Sequence, residues 1–128
     1  MASGYGPRLT KVDLFAFGSR SGPRPPRRGI DYVPDPMGMI GPDQPPFPAG
    51  ASLFADPHQA PLRGHFHRLA AGTAIPPALD IIADGLDIHS NSMHPATHHT
   101  LFPIAQMPSQ QFVSAFLALP WQYSGRKP

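Results

Sequence analysis

Proline and glycine punctuate this chain densely: nineteen prolines and twelve glycines make up close to a quarter of its 128 residues. Proline has no amide hydrogen to give a ladder, and glycine weakens regular elements, so the pattern favours short strands and turns over long helices. The chain is nevertheless built to fold. Apolar and aromatic residues account for 41% of it and charged residues for 14%, which is not the composition of a charge-rich disordered polymer. The length predicts one domain, residues 1–128, with one modest core. With no cysteine, neither a disulfide framework nor a thiolate zinc site is possible. No signal peptide and no apolar run of about 18 residues is visible, so the expectation is a cytoplasmic protein, of the producing or a target cell, with no membrane span.

Residues 1–10 read as a loose terminus. Val12 to Phe17 reads as a first strand, apolar enough to be buried on both faces and stopped by Gly18. Residues 18–48 form a long basic Pro/Gly-rich segment, interrupted by Ile30 to Val33 and Met37 to Ile40, which are short strands or packed turns. Ala51 to Phe54 is the next strand or a helix start. His65 to Leu69, Leu79 to Asp84 and His99 to Ile104 read as further strands. One helix is expected, with Ser109 as N-cap, Phe112, Val113, Phe116 and Leu117 on one face, and Pro120 as its stop. It should lie on a sheet.

The formal charge is only +2, yet Arg20, Arg24, Arg27 and Arg28 fall within nine residues. A solvated loop and an anion site both explain that patch. Nucleic-acid binding fits less well, because no aromatic residues that could stack bases are interleaved with the arginines. A phosphate or pyrophosphate suits four arginines better.

The chain contains no glutamate, and its acids are eight aspartates. The histidines thereby become leading candidates for chemistry, above all the run Ala96-Thr97-His98-His99-Thr100 at the mouth of a strand. His65 and His67 stand two apart on a predicted strand and share a face, which leaves a metal site open. A metal site of that kind would normally also need a glutamate, which this chain lacks. His89 and His94 lie in a polar loop and receive no role. Ser52 has neither a Gly-x-Ser-x-Gly elbow nor a neighbouring acid in sequence, which argues against a serine hydrolase. Phosphate-loop and dinucleotide fingerprints are absent as well.

The segments Val12 to Phe17, Gly50-Ala51-Ser52-Leu53-Phe54, Gly72-Thr73-Ala74-Ile75-Pro76 and Ala96-Thr97-His98-His99-Thr100 with Met107-Pro108, in that order, resemble the small type VI secretion effector toxins with an ADP-ribosyltransferase-like domain. The resemblance implies an α+β fold, a split β-sandwich of the ADP-ribosyltransferase kind with few short helices. NAD would be held as substrate between two small sheets, with the Arg20 to Arg28 loop over its phosphates. It further implies transfer of ADP-ribose from NAD to a macromolecular target, or NAD hydrolysis, and an immunity or antitoxin protein that covers the cleft. By the same resemblance Ser52 and His98 form the centre, Phe54 is a stacking wall, and Thr97 holds the His98 loop.

Two departures follow. The glutamate of other transferases is missing, which leaves Asp80, Asp84 or Asp87 to stand in for it. At position 16 the resemblance implies an arginine that could pair with an NAD phosphate; this chain has Ala16, so Arg20 serves instead or the site is disabled. The alternatives are a non-enzymatic interaction module docking through residues 18–48 and a small His-metal β-barrel enzyme centred on His65 and His67.

Overall fold

The computed structural model describes residues 8–43, 49–86 and 97–128. Among these, nine strands and one α-helix run in the order β1 (Leu14–Ser19), β2 (Gly22–Pro23), β3 (Met39–Ile40), β4 (Ala51–Phe54), β5 (Gly64–Leu69), β6 (Leu79–Ile82), β7 (His98–Pro103), β8 (Met107–Pro108), α1 (Ser109–Leu117) and β9 (Gln122–Lys127). Short 3-10 turns lie at Pro57–Gln59 and Asp84–Leu86. The architecture is α+β and mainly β. None of the described helices is long and apolar enough to cross a membrane.

Seven of the described strands form one antiparallel sheet in the order β6-β7-β4-β1-β5-β9, with β2 paired to β1; β3 and β8 make a separate two-stranded sheet. The larger sheet has a seam inside it. Along one edge β1 meets β4 at a single pair, Phe15 with Phe54. Beyond that point the strands part, and the same edge of β1 is taken up by β2 through Gly18 with Pro23 and Ser19 with Gly22. Ala16 and Phe17 are left without a register partner on that side, although they pair with His67 and Phe66 of β5 on the other.

Two close approaches hold the seam's flanks. A Cβ on Gly18 would run into the backbone of Gly22 to Arg24, so glycine lets β2 fold back tightly on β1. A Cβ on Gly50 would land on the carbonyl oxygen of Leu101, so glycine lets the chain enter β4 flat against β7. Pro23, Pro25 and Pro26 then supply no donors, which ends β2 after two residues and leaves the following segment free of the ladder.

The sheet buries both faces. On one, Leu14, Leu53, Leu69, Leu79 and Leu101 pack with Ile40, Met107, Phe112 and Phe116. Burying each leucine contributes about 1.5–3 kcal/mol. On the other face lies a smaller cluster of Phe17, Phe54, Phe66 and Ala60. Both faces of β1 are buried, as its apolar run predicts, although the strand starts at Leu14 and Val12 is exposed. In α1 the backbone of Pro108 is the N-cap and Ser109 the first helical residue, with no side-chain cap. Phe112 and Phe116 carry the packing, whereas Leu117 turns out to be half-exposed.

The long segment after Gly18 is less open than its composition implies. Tyr32 and Ile40 are part of the main core, and Asp35 accepts from the backbone N–H groups of Met37 and Met39, both at 2.9 Å. Ile30 and Asp31 lie in a turn and Tyr32 makes an isolated bridge with Arg28, so no strand runs through Ile30 to Val33.

Candidate active site

Ser52, Phe54, His98 and Thr100 stand on one face of neighbouring strands, because Ser52 is opposite Thr100 and Phe54 opposite His98 in the β4–β7 register. Ser52 is exposed since the parted β1 does not cover it; His98 is 2% exposed and Thr100 5%. The His98 ring packs edge-on against Phe54, with centroids 5.3 Å apart.

Both ring nitrogens of His98 are engaged. Nδ1 lies 2.6 Å from Oδ1 of Asp84, and Nε2 lies 3.1 Å from Oγ of Ser52. The second carboxylate oxygen of Asp84 accepts from the Thr100 hydroxyl at 2.6 Å. A carboxylate only accepts, so Nδ1 carries a proton and donates it to Asp84. In the neutral ring Nε2 is then an acceptor, and the Ser52 hydroxyl donates to it. The chain of bonds Ser52, His98, Asp84 has the connectivity and spacing of a nucleophile, base and orienting acid.

These groups open into a cavity of about 210 Å³ whose walls come from both sides of the seam, among them Ala16 and Phe17 of β1, Ser52 and Phe54 of β4, His98 of β7, and Arg24 and Arg27 of the segment after β2. A second cavity of about 560 Å³ lies beside it and shares Phe17, Arg24, Pro25 and Leu62 in its wall. Arg24 is tied in by its backbone N–H, which donates to the carbonyl of Phe17 at 2.9 Å. The Arg27 side chain meets the Asp31 carboxylate at 3.4 Å.

The structure therefore brings together Ser52, His98, Phe54 and Ala16, as the sequence reading has them, and sorts the remainder. Of the three acids that could stand in for glutamate, Asp84 is the one at the site; Asp80 pairs with Arg8 at 2.9 Å, and Asp87 lies outside the described residues, as do His89 and His94. Arg20 is not at this cavity. It lines another, beside His67, Trp121 and Tyr123, and the two arginines that reach Ser52's cavity are Arg24 and Arg27. Thr97 does not line the cavity either. Its carbonyl accepts from the N–H of Ala55 and from Nδ1 of His99, each at 2.9 Å, which fixes the strand start just before His98.

Thr100 has no role in the sequence reading. The signal is its place two residues after His98 on a strand, which puts a hydroxyl on the same face. The serine's acid is likewise not a sequence neighbour but is supplied through the histidine, 32 residues downstream in Asp84.

His65 and His67 are held separately. The ring of His67 is buried and bonded through Nε2 to the carbonyl oxygen of Ser19 at 2.7 Å; His65 shares a hydrogen bond with the Tyr123 hydroxyl at 2.9 Å. Among the described residues no group of three His, Cys, Asp or Glu side chains is arranged to hold a metal ion. Comparison of the chain with protein-family models, with curated proteins and with solved structures gives no match.

Proposed function

We propose that this protein binds NAD in the seam between β1 and β4 and breaks its nicotinamide glycosidic bond, passing ADP-ribose to a macromolecular target or to water. The observation that carries this reading is that Ser52 and His98, the two residues the toxin resemblance singles out, are hydrogen-bonded to each other at a parting of the sheet, with Arg24 and Arg27 lining the same cavity. Two neighbouring cavities of about 210 and 560 Å³ with a shared wall suit an extended ligand such as a dinucleotide.

The chemistry fits the groups present. Cleavage of the glycosidic bond passes through an oxocarbenium-like state, and the attacking hydroxyl must lose a proton. Nε2 of His98 accepts that proton, and the Asp84 carboxylate beside Nδ1 offsets the charge that forms on the ring. In this way an aspartate acting through an imidazole takes the place of the missing glutamate. Ser52 orients the ribose end, Phe54 and Phe17 form an aromatic wall, and the two guanidinium groups meet the pyrophosphate. The finer fold assignment, a split sandwich of the ADP-ribosyltransferase kind, and the roles of toxin and of a covering immunity protein belong to the same proposal.

Ala16 sits at the cavity wall where the resemblance implies an arginine; either Arg24 and Arg27 serve in its place or the change lowers turnover. Turnover of labelled NAD in a cell lysate, with this chain beside its Ala16→Arg variant, tests both points. Label on a macromolecule or free nicotinamide is expected, with the greater yield from Ala16→Arg. Equal turnover in the two removes the idea of a disabled site. No turnover and no NAD binding in either leaves the docking module as the better reading.

A further inference from the structure

We infer that Ser52 is also a nucleophile toward acyl groups, giving this cleft an esterase activity on carboxylic esters with short apolar acyl chains. The inference stands on the bonding at Ser52 and does not depend on NAD.

A serine hydroxyl on a strand surface is ordinarily unreactive, because nothing takes its proton. Here the Ser52 hydroxyl donates to Nε2 of a histidine that is itself buried, so the base keeps one orientation. That ring is fixed by Asp84 at 2.6 Å, and the carboxylate is fixed in turn by Thr100 at 2.6 Å. Each member limits the rotation of the one before it, which is what general-base activation requires. Exposure runs the useful way as well: the serine is open to the cavity, while the histidine, the aspartate and the threonine are buried.

The surroundings select the substrate. Phe17, Phe54, Leu62 and Phe116 line the cavity with apolar surface, and about 210 Å³ beside Ser52 suits a short acyl chain. Arg24 lines the same space and supplies positive charge for a developing oxyanion, whereas Arg27, also in the lining, is paired with Asp31.

In the reaction, Oγ of Ser52 bonds to the ester carbonyl carbon as its proton passes to Nε2 of His98. The tetrahedral adduct then expels the alcohol, which takes that proton back from Nε2. Water attacks the acyl-serine with His98 again as base, releasing the carboxylic acid and restoring the Ser52 hydroxyl. Ser52 and His98 are the catalytic residues; Asp84 and Thr100 are positioning residues.

The test uses the full chain with a fluorophosphonate probe and with 4-nitrophenyl butyrate. Adducts at Ser52 and at Ser124, an exposed serine on β9, are counted in one digest, so each molecule carries its own reference. Ser52 should be labelled about 10²-fold or more faster than Ser124, and nitrophenol release should vanish in Ser52→Ala. In Asp84→Asn the preference for Ser52 should collapse, together with loss of the far-downfield proton resonance expected for Nδ1–H of His98. Equal labelling of the two serines, release that survives Ser52→Ala, or a preference that persists in Asp84→Asn each overturns the inference. If Asp84→Asn does not fold, the two serines of the unaltered chain still decide it.

Discussion

Removing the Asp84 side chain strands two buried donors at once. Its carboxylate accepts from Nδ1 of His98 and from the Thr100 hydroxyl, both at 2.6 Å, and those partners are 2% and 5% exposed. A hydrogen bond to a charged group contributes about 1.5–3 kcal/mol, and a buried donor left without an acceptor costs a comparable amount. Two donors that share one acceptor are not independent, so their costs do not simply add. Asp84→Ala is expected to lose about 3–5 kcal/mol, somewhat less than two such bonds taken separately. Asp84→Asn is milder. Its single amide oxygen still serves His98, its NH2 faces Thr100, and that hydroxyl can turn to accept, leaving a cost of about 1–2 kcal/mol. In a domain of this size each kcal/mol moves Tm by roughly 3–5 °C. Thermal unfolding followed by circular dichroism should therefore place Asp84→Ala at least about 10 °C below the unaltered protein, with Asp84→Asn between them. Adding Thr100→Val to Asp84→Ala deletes one stranded donor and should recover about 1 kcal/mol. An Asp84→Ala protein within about 1 kcal/mol of the parent, or a double variant no better than the single one, would refute this account of the buried relay.

Gly50→Ala should destabilise the fold by more than about 2 kcal/mol in urea unfolding, because the new methyl group falls on the Leu101 carbonyl and can be relieved only by moving β4 off β7. The two arginines that the sequence alone does not distinguish should separate in NAD titrations. Arg24→Ala is expected to weaken binding about tenfold, as loss of one charged hydrogen bond implies, while Arg20→Ala, which lines a different cavity, leaves it unchanged.

What could be read in the sequence is what depends on local pattern. The apolar run at Leu14 to Phe17 marks a strand because a strand buried on both faces must be apolar, and Ala51 to Phe54 and His99 to Ile104 mark strands by apolar residues interrupted only at Ser52, His99 and Thr100. The helix is marked by the spacing of Phe112 and Phe116. β9 has no such signature. Its residues are largely exposed and include Gly125, and they extend because the free edge of β5 offers them hydrogen bonds. The centre at Ser52 and His98 came from resemblance, and the choice of Asp84 among three aspartates came from tertiary geometry alone. The arginines illustrate the same limit. Four of them crowd nine residues, but the tight return of β2 on β1 decides that Arg24 and Arg27 face the cavity and Arg20 does not.

The single rung between β1 and β4 also has a thermal consequence. On either side of it the half-sheets β6-β7-β4 and β1-β5-β9 are laced by backbone ladders, with one register shift between β5 and β9, but across it the main bond is the shared core that holds Leu14, Ala16 and Leu69 together with Leu53, Leu79 and Leu101. Ladders and packed cores respond differently to temperature, since the drive to bury apolar surface weakens on cooling. The seam is thus the joint that chilling loosens first, while each half keeps its own register. Ser52, Asp84 and His98 ride on one half and Arg24 follows the other through the β1–β2 turn, while Arg27 is tied back to the first half through Asp31, whose carbonyl accepts from the Gly50 N–H at 2.9 Å. Cold would draw Arg24 away from the Ser52 and His98 pair before it disturbs the ladders of either half.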